Sequence, residues 1–210
     1  MSNAKTEFLD RAYDLESTDD VKDFYGDWAR SYDANIVEDN GYVTPQRCAE
    51  ALARRARPEG AVLDIGCGTG LSGLALMQAG FMAVDGFDLS EEMLQEARAK
   101  GVYRDLKMAD ITQDLPYVPA SYAALNACGV FGHQHTPPER FTALMELLKP
   151  GHCFSFSLND HTYEHMDHAY PKMIDGLAED GKIILLEKEY GAHLPGIDLG
   201  AWVYVVEKTA

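Results

Sequence analysis

A chain of 210 residues sits at the upper end of one α/β domain and is too short for a nucleotide-binding domain joined to a separate catalytic one. Its 46% hydrophobic and 25% charged residues describe an ordinary globular protein with material for a core; no apolar run is long enough to span a bilayer and no basic-then-apolar leader opens it, so a cytoplasmic protein without a membrane partner is expected. With 34 acidic against 18 basic side chains the formal net charge is −16, which repels phosphate backbones and argues against a DNA or RNA partner.

Up to about residue 57 the periodicity is helical. In "DVKDFYGDWARSYDANI", Val21, Phe24, Tyr25, Trp28 and Tyr32 fall on one face. A second helix follows "GYVTP": Thr44 can cap it, Pro45 suits its first turn, "QRCAEALARRA" continues it, and Pro58 and Gly60 end it. From residue 61 onward, strand-like runs alternate with helical ones: "AVLDIG", "FMAVDGFDL", "DLKMADI", "YAALNACG", "HCFSFSL", "KIILLEKEY" and "AWVYVVEK". That alternation predicts a parallel sheet covered by helices. The linker "GAHLPGIDLG" before the last run is too short for a helical crossover, so the sheet closes with an antiparallel hairpin.

The loop after the first strand, "VLDIGCGTGLSG", satisfies two nucleotide-binding patterns at once. Gly68, Gly70 and Gly73 spell the G-x-G-x-x-G of dinucleotide sites, whereas Gly66, Gly68 and Gly70 spell the G-x-G-x-G of sites for S-adenosylmethionine (SAM). Either cofactor would use glycines that let the backbone approach it and the free amides of the following helix. Asp64 separates the readings, because a carboxylate at the end of that strand suits a cationic ammonium and not a pyrophosphate. Asp88, closing the second strand, can accept from both ribose hydroxyls, which NAD would also require. Ser90 then caps a helix opening with Glu91 and Glu92, and Leu89 can lie on a purine face. Asp110 and Ile111, after the third strand, offer an adenine amino group a carboxylate beside an apolar wall, which a nicotinamide oxidoreductase leaves unexplained.

The runs "VLDIGCGTG", "GFDLSEEML", "ADITQDLP" and "LLKPGHCFSFSL" together resemble the SAM-dependent class I methyltransferases. Within them, "DWARSYD", "GYVTP" and "GFDLSEEMLQEARAKGVYRDL" are similar to the small methyltransferases of the Williams-Beuren syndrome region. The resemblance implies a Rossmann-like three-layer sandwich whose mostly parallel seven-stranded sheet has the order 3-2-1-4-5-7-6 with strand 7 antiparallel. Residues 1–57 would be a helical extension or lid, and 58–210 the SAM-binding domain. It also places Asp64, Gly66 and Gly68 at the methionine end, with Tyr32 closing over the methionine moiety, Asp88 on the ribose, Leu89, Asp110 and Ile111 around the adenine, and Cys67 and Cys128 in the same cofactor site. The expected activity is methyl transfer from SAM to a small-molecule acceptor. A SAM-binding protein without transfer activity and a nicotinamide oxidoreductase are the competing classes.

Methyl transfer needs mainly proximity and exclusion of water, so a base is needed only for a protonated acceptor. His133, in the loop after strand four, is the candidate. The acceptor wall is expected to combine the N-terminal extension with residues 159–175, where Tyr163, Met166, Tyr170 and Met173 are adaptable apolar groups among polar ones. Cys48, Cys67, Cys128 and Cys153 show no C-x-x-C spacing and read as reduced thiols. "HTYEH" matches a zinc-peptidase pattern and "YRDLK" the Y-x-x-x-K of short-chain dehydrogenases. Both are expected to be coincidental, the first a solvated acidic helix with no metal, the second a surface pair.

Overall fold

The computed structural model describes residues 17–33, 36–37, 40–56, 59–132, 136–165 and 168–209. Seven strands, β1 (Val62–Ile65), β2 (Val84–Asp88), β3 (Tyr103–Met108), β4 (Tyr122–Ala127), β5 (Leu148–Asn159), β6 (Ile183–Leu194) and β7 (Leu199–Lys208), form one sheet. Its spatial order is β3-β2-β1-β4-β5-β7-β6. The first five strands pair in parallel, and β7 runs antiparallel between β5 and β6. The expected architecture is therefore present, including the inserted antiparallel strand.

The strands read as near-continuous apolar runs because both faces are covered. Leu63 and Ile65 of β1, Leu125 and Ala127 of β4, Phe154 and Phe156 of β5, and Tyr204 and Val206 of β7 belong to one core cluster. Val62, Ala124, Cys153, Val203 and Val205 belong to the other, as the two-residue period requires. Phe141 and Leu144 of α5 (Glu139–Met145) and, beyond the short α6 (Asp160–His165), Tyr170 and Ile174 of α7 (Ala169–Glu179) close the first face. Cys48, Ala49 and Leu52 of α2 (Thr44–Arg55), with Ala75 and Leu76 of α3 (Leu71–Gln78), close the second. Two helices remain that bear on the site: α1 (Thr18–Asp33), which contacts α4 (Glu91–Lys100).

Helix ends show where local rules hold and where distant groups override them. Ser90 caps α4 as expected, its hydroxyl accepting from the Met93 N–H at 3.2 Å. Thr44 does not cap α2: Val43 holds the cap position, and the Thr44 hydroxyl bonds instead to Nδ1 of His193 on β6 at 2.8 Å. A buried imidazole, its pKa lowered to about 4 by burial, is a better partner there than an amide. α2 stops at Arg55, ahead of Pro58, which lies outside the described residues.

Candidate functional site

The carboxyl ends of β1 to β4 open into a cleft, the edge at which ligands enter parallel α/β sheets. Gly66, Gly68, Asp88, Leu89, Asp110, Ile111 and Cys128 line it, and α1 contributes Thr18, Val21, Tyr25 and Tyr32. Of the expected cofactor residues, only Asp64 and Cys67 are not on this wall. Gly66 has φ +58, and a Cβ there would come within 2.7 Å of Val130 Cγ2. Gly68 has φ +52, and a Cβ there would enter open space. At Gly68 the glycine keeps room on the cleft side, whereas at Gly66 it admits the loop after β4.

Asp88 is stitched to this loop. Its Oδ2 accepts from the Gly68 N–H at 2.8 Å and its Oδ1 from the Ser90 N–H at 3.0 Å. Burial raises its pKa, opposed by these backbone donors. A carboxylate has about four acceptor positions, so roughly two remain for a ligand. Asp110 is arranged likewise: Oδ1 takes the Thr112 N–H at 2.8 Å and the Thr112 hydroxyl at 2.7 Å, leaving Oδ2. Phe87, Met93, Ala109 and Ile111 supply apolar wall between these acids.

Beneath the loop lies a buried network that spacing did not reveal. Asp64 is fully buried, its Oδ2 accepting from the Ser72 hydroxyl at 2.6 Å and the Tyr103 hydroxyl at 2.7 Å, its Oδ1 from the Asn126 amide at 2.9 Å. Burial pushes its carboxyl up to about 6 against those three donors. Tyr103 is accordingly not half of a surface pair with Lys107. Its ring lies under α3, with the hydroxyl also accepting the Gly73 N–H at 3.1 Å. A Cβ on Gly73 would stand 2.2 Å from Tyr103 Cζ. The third glycine of the dinucleotide-like pattern thus serves tyrosine packing and not a pyrophosphate. Gly73→Ala is expected to cost about 1–3 kcal/mol by overpacking and to weaken cofactor binding through the displaced loop. Chemical denaturation and calorimetry check both.

At the β4 end, Cys128, Gly129, Val130 and Thr136 complete the wall. The Tyr42 hydroxyl lies 3.3 Å from Cys128 Sγ. All four cysteines are free thiols, and Cys67 is buried behind the loop. Of the expected acceptor wall, the N-terminal helix lines the cleft, but Tyr170 is buried with its hydroxyl donating to the Thr136 carbonyl, and Met173 packs on the same core. Tyr163 stacks on Trp202, with ring centroids 5.7 Å apart, and is not on the cleft wall. Helical spacing that would wall a pocket also suits a helix packing on a sheet, and the core took it. Met166 and His133 lie outside the described residues. Among the described residues no group of three or more metal-binding side chains is placed to hold an ion.

Residues 62–151 match the family model described as a methyltransferase domain. The human methyltransferase-like protein 27 is 29% identical over 164 residues, 75% of this chain and 66% of that protein. The 18S rRNA (guanine-N(7))-methyltransferase of Bos taurus is 44% identical over 63 residues, 30% of this chain and 22% of its own length. A ubiquinone biosynthesis O-methyltransferase of Xanthomonas campestris is 31% identical over 113 residues, 52% of this chain and 47% of its own. A chain of the complex between the Haloferax volcanii Trm112 methyltransferase activator and a methyltransferase superposes with a TM-score of 0.70 at 21% identity, covering 90% of this chain and 98% of that one. The chain thus spans less than two thirds of the length of these curated relatives. The similarity to an rRNA methyltransferase overturns the exclusion of nucleic acid drawn from net charge. Whole-chain charge is a sum, and it does not give the potential at the one face an acceptor meets. The glycine loop, the acids closing β2 and β3 and this sheet order thus stand in a chain whose residues 62–151 match a methyltransferase domain.

Proposed function

We propose that this cleft binds SAM and passes its methyl group to an acceptor entering at the β4 end, and that the acceptor is a small molecule with an apolar body. The observation that carries the cofactor reading is the spacing of free acceptor positions along the sheet edge. Asp110 offers one for an adenine amino group, and Asp88 offers about two for ribose hydroxyls, with open space over Gly68. These residues fit the cofactor. When bound, SAM supplies an electrophilic methyl on a sulfonium.

The protein's own part is positioning. Leu89 and Ile111 flank the purine, and Tyr25 and Tyr32 cover the site and exclude water. Asp64 lies beneath the loop: its carboxylate accepts from Ser72 on α3, Tyr103 on β3 and Asn126 on β4, which joins those three elements, and it is not on the cleft wall. Because adenine and ribose take the β3 and β2 ends, the methyl lies toward β4, where the described lining residues Cys128, Gly129, Val130 and Thr136 carry no charge. That uncharged end supports an apolar acceptor, as does the similarity to an enzyme of ubiquinone biosynthesis. A nucleobase of an RNA is the second reading, favoured by the similarity to the rRNA enzyme. Release of S-adenosylhomocysteine (SAH) from labelled SAM, followed against metabolite pools and against structured RNA, separates them. Label entering RNA alone would end the small-molecule reading.

His133 remains the proposed base on the acceptor side. Histidine is a common general base, and this one follows β4, the strand beside β1, in the sequence. His133→Ala is expected to leave SAH affinity within about twofold and to lower turnover roughly 10²-fold. Turnover at the wild-type rate would assign catalysis to proximity alone.

A further inference from the structure

The last residue of α1 ties that helix to the floor of the cleft. Oδ1 of Asp33 accepts from the Thr69 hydroxyl at 2.5 Å, and Oδ2 from the Lys100 ammonium at 2.7 Å. Thr69 is buried within the glycine loop, between Gly68 and Gly70. Lys100 ends α4, the helix whose cap follows Asp88. One carboxylate therefore joins the roof of the cleft, the loop under it and the helix beside it.

None of these three side chains contributes to the two hydrophobic clusters that hold the sheet together. What they hold is α1, which gives Thr18, Val21, Tyr25 and Tyr32 to the cleft. Tyr32 precedes Asp33 directly. Along the helix Tyr25 stacks on Trp28 and Trp28 meets Tyr32, with ring centroids 6.1 and 4.6 Å apart, so the roof's aromatic side chains support one another and shift together with the helix. Gly26 of α1 also approaches α4 closely, where a Cβ would stand 3.2 Å from the Glu92 carboxylate. The Asp33–Lys100 pair is partly solvated, with side chains 40% and 19% exposed, but the Thr69 end is only 2% exposed. A hydrogen bond to a charged group carries most weight where water is excluded.

We propose that Asp33 is a positioning residue that fastens α1 over the cofactor cleft and sets how long the bound cofactor stays. This rests on the SAM reading above. The contacts that recognise the nucleoside belong to Asp88 and Asp110, so releasing the latch acts chiefly on departure. Removing Asp33 also strands the Thr69 hydroxyl, so Thr69→Val, which deletes that hydroxyl at nearly constant shape, probes the same bond from the other side.

The test is the dissociation rate of labelled SAH, chased with unlabelled SAH, for the full chain and for Asp33→Ala, Thr69→Val, the double variant and Asp33→Glu. Asp33→Ala and Thr69→Val are each expected to speed release about tenfold. The double variant should be little faster than Asp33→Ala alone, because Asp33→Ala already removes the bond that Thr69→Val deletes. Asp33→Glu should recover part of the loss, and melting temperatures without cofactor should change little. Release within about twofold of wild type in both single variants, or fully additive effects, overturns the latch. If Asp33→Ala does not fold, Thr69→Val alone decides. Failure of the wild-type chain to bind SAH would instead refute the cofactor reading, so the two failures are distinguishable.

Discussion

Replacing Asp88 by alanine is expected to weaken SAH binding by roughly 10² to 10⁴-fold. Two ribose hydroxyls would lose a charged acceptor, at about 1.5–3 kcal/mol for each hydrogen bond. The same change strips the Gly68 and Ser90 amides of their partner, since both donate to this carboxylate. The glycine loop therefore loses a tether as well as the ligand an acceptor. Asp88→Asn keeps one acceptor oxygen and should fall between the two. Calorimetry with SAH measures all three proteins, and an unchanged affinity in Asp88→Ala would remove the ribose assignment while leaving the fold intact.

Asp64→Asn is expected to change the pH dependence of stability by an amount on the order of 3 kcal/mol. Burial raises the Asp64 carboxyl from 3.8 to about 6 in the folded protein. The folded state therefore keeps its proton where the unfolded chain has lost it. Stability from this group is greatest below about pH 4, falls as pH rises through the window from about 4 to 6, and is constant above it. The size follows from about 1.4 kcal/mol per pH unit of difference. Asparagine does not titrate, so the wild type measured against Asp64→Asn should lose stability across that window and then run parallel. Asp88 is shifted in the same direction but is present in both proteins, so its contribution largely cancels in the difference. Urea unfolding at intervals between pH 4 and 8 gives the two curves. Parallel curves throughout would mean that the three donors already hold Asp64 at its ordinary value.

The mostly parallel sheet with its antiparallel closing hairpin and the cap at Ser90 were legible because each is a local pattern, whereas the strand order came from the resemblance. Ser90 shows this, since the residue that must cap α4 follows Asp88 by two positions and meets no competitor. Thr44 was misread because its competitor, His193, lies far along the chain on β6. Tyr103 was misread for a similar reason: spacing relative to Lys107 says nothing of Asp64 or Gly73, which only the folding of β1 and α3 brings to it. A signal was present, in that Gly73 and Gly86 both lack the side chain that would strike its ring. The acceptor side was the least legible part. Tyr170 and Met173 have the helical spacing of a pocket wall and also that of a core, and burial against Phe131 and its neighbours decided between them.

Calorimetric titration of the full chain with SAH and, separately, with NAD⁺ bears most directly on the central claim that this cleft is a SAM site. SAH should bind at one site per chain, with the affinity lost in Asp88→Ala, while NAD⁺ should give no saturable heat. Saturable binding of NAD⁺, or SAH binding that survives unchanged in Asp88→Ala, would contradict it.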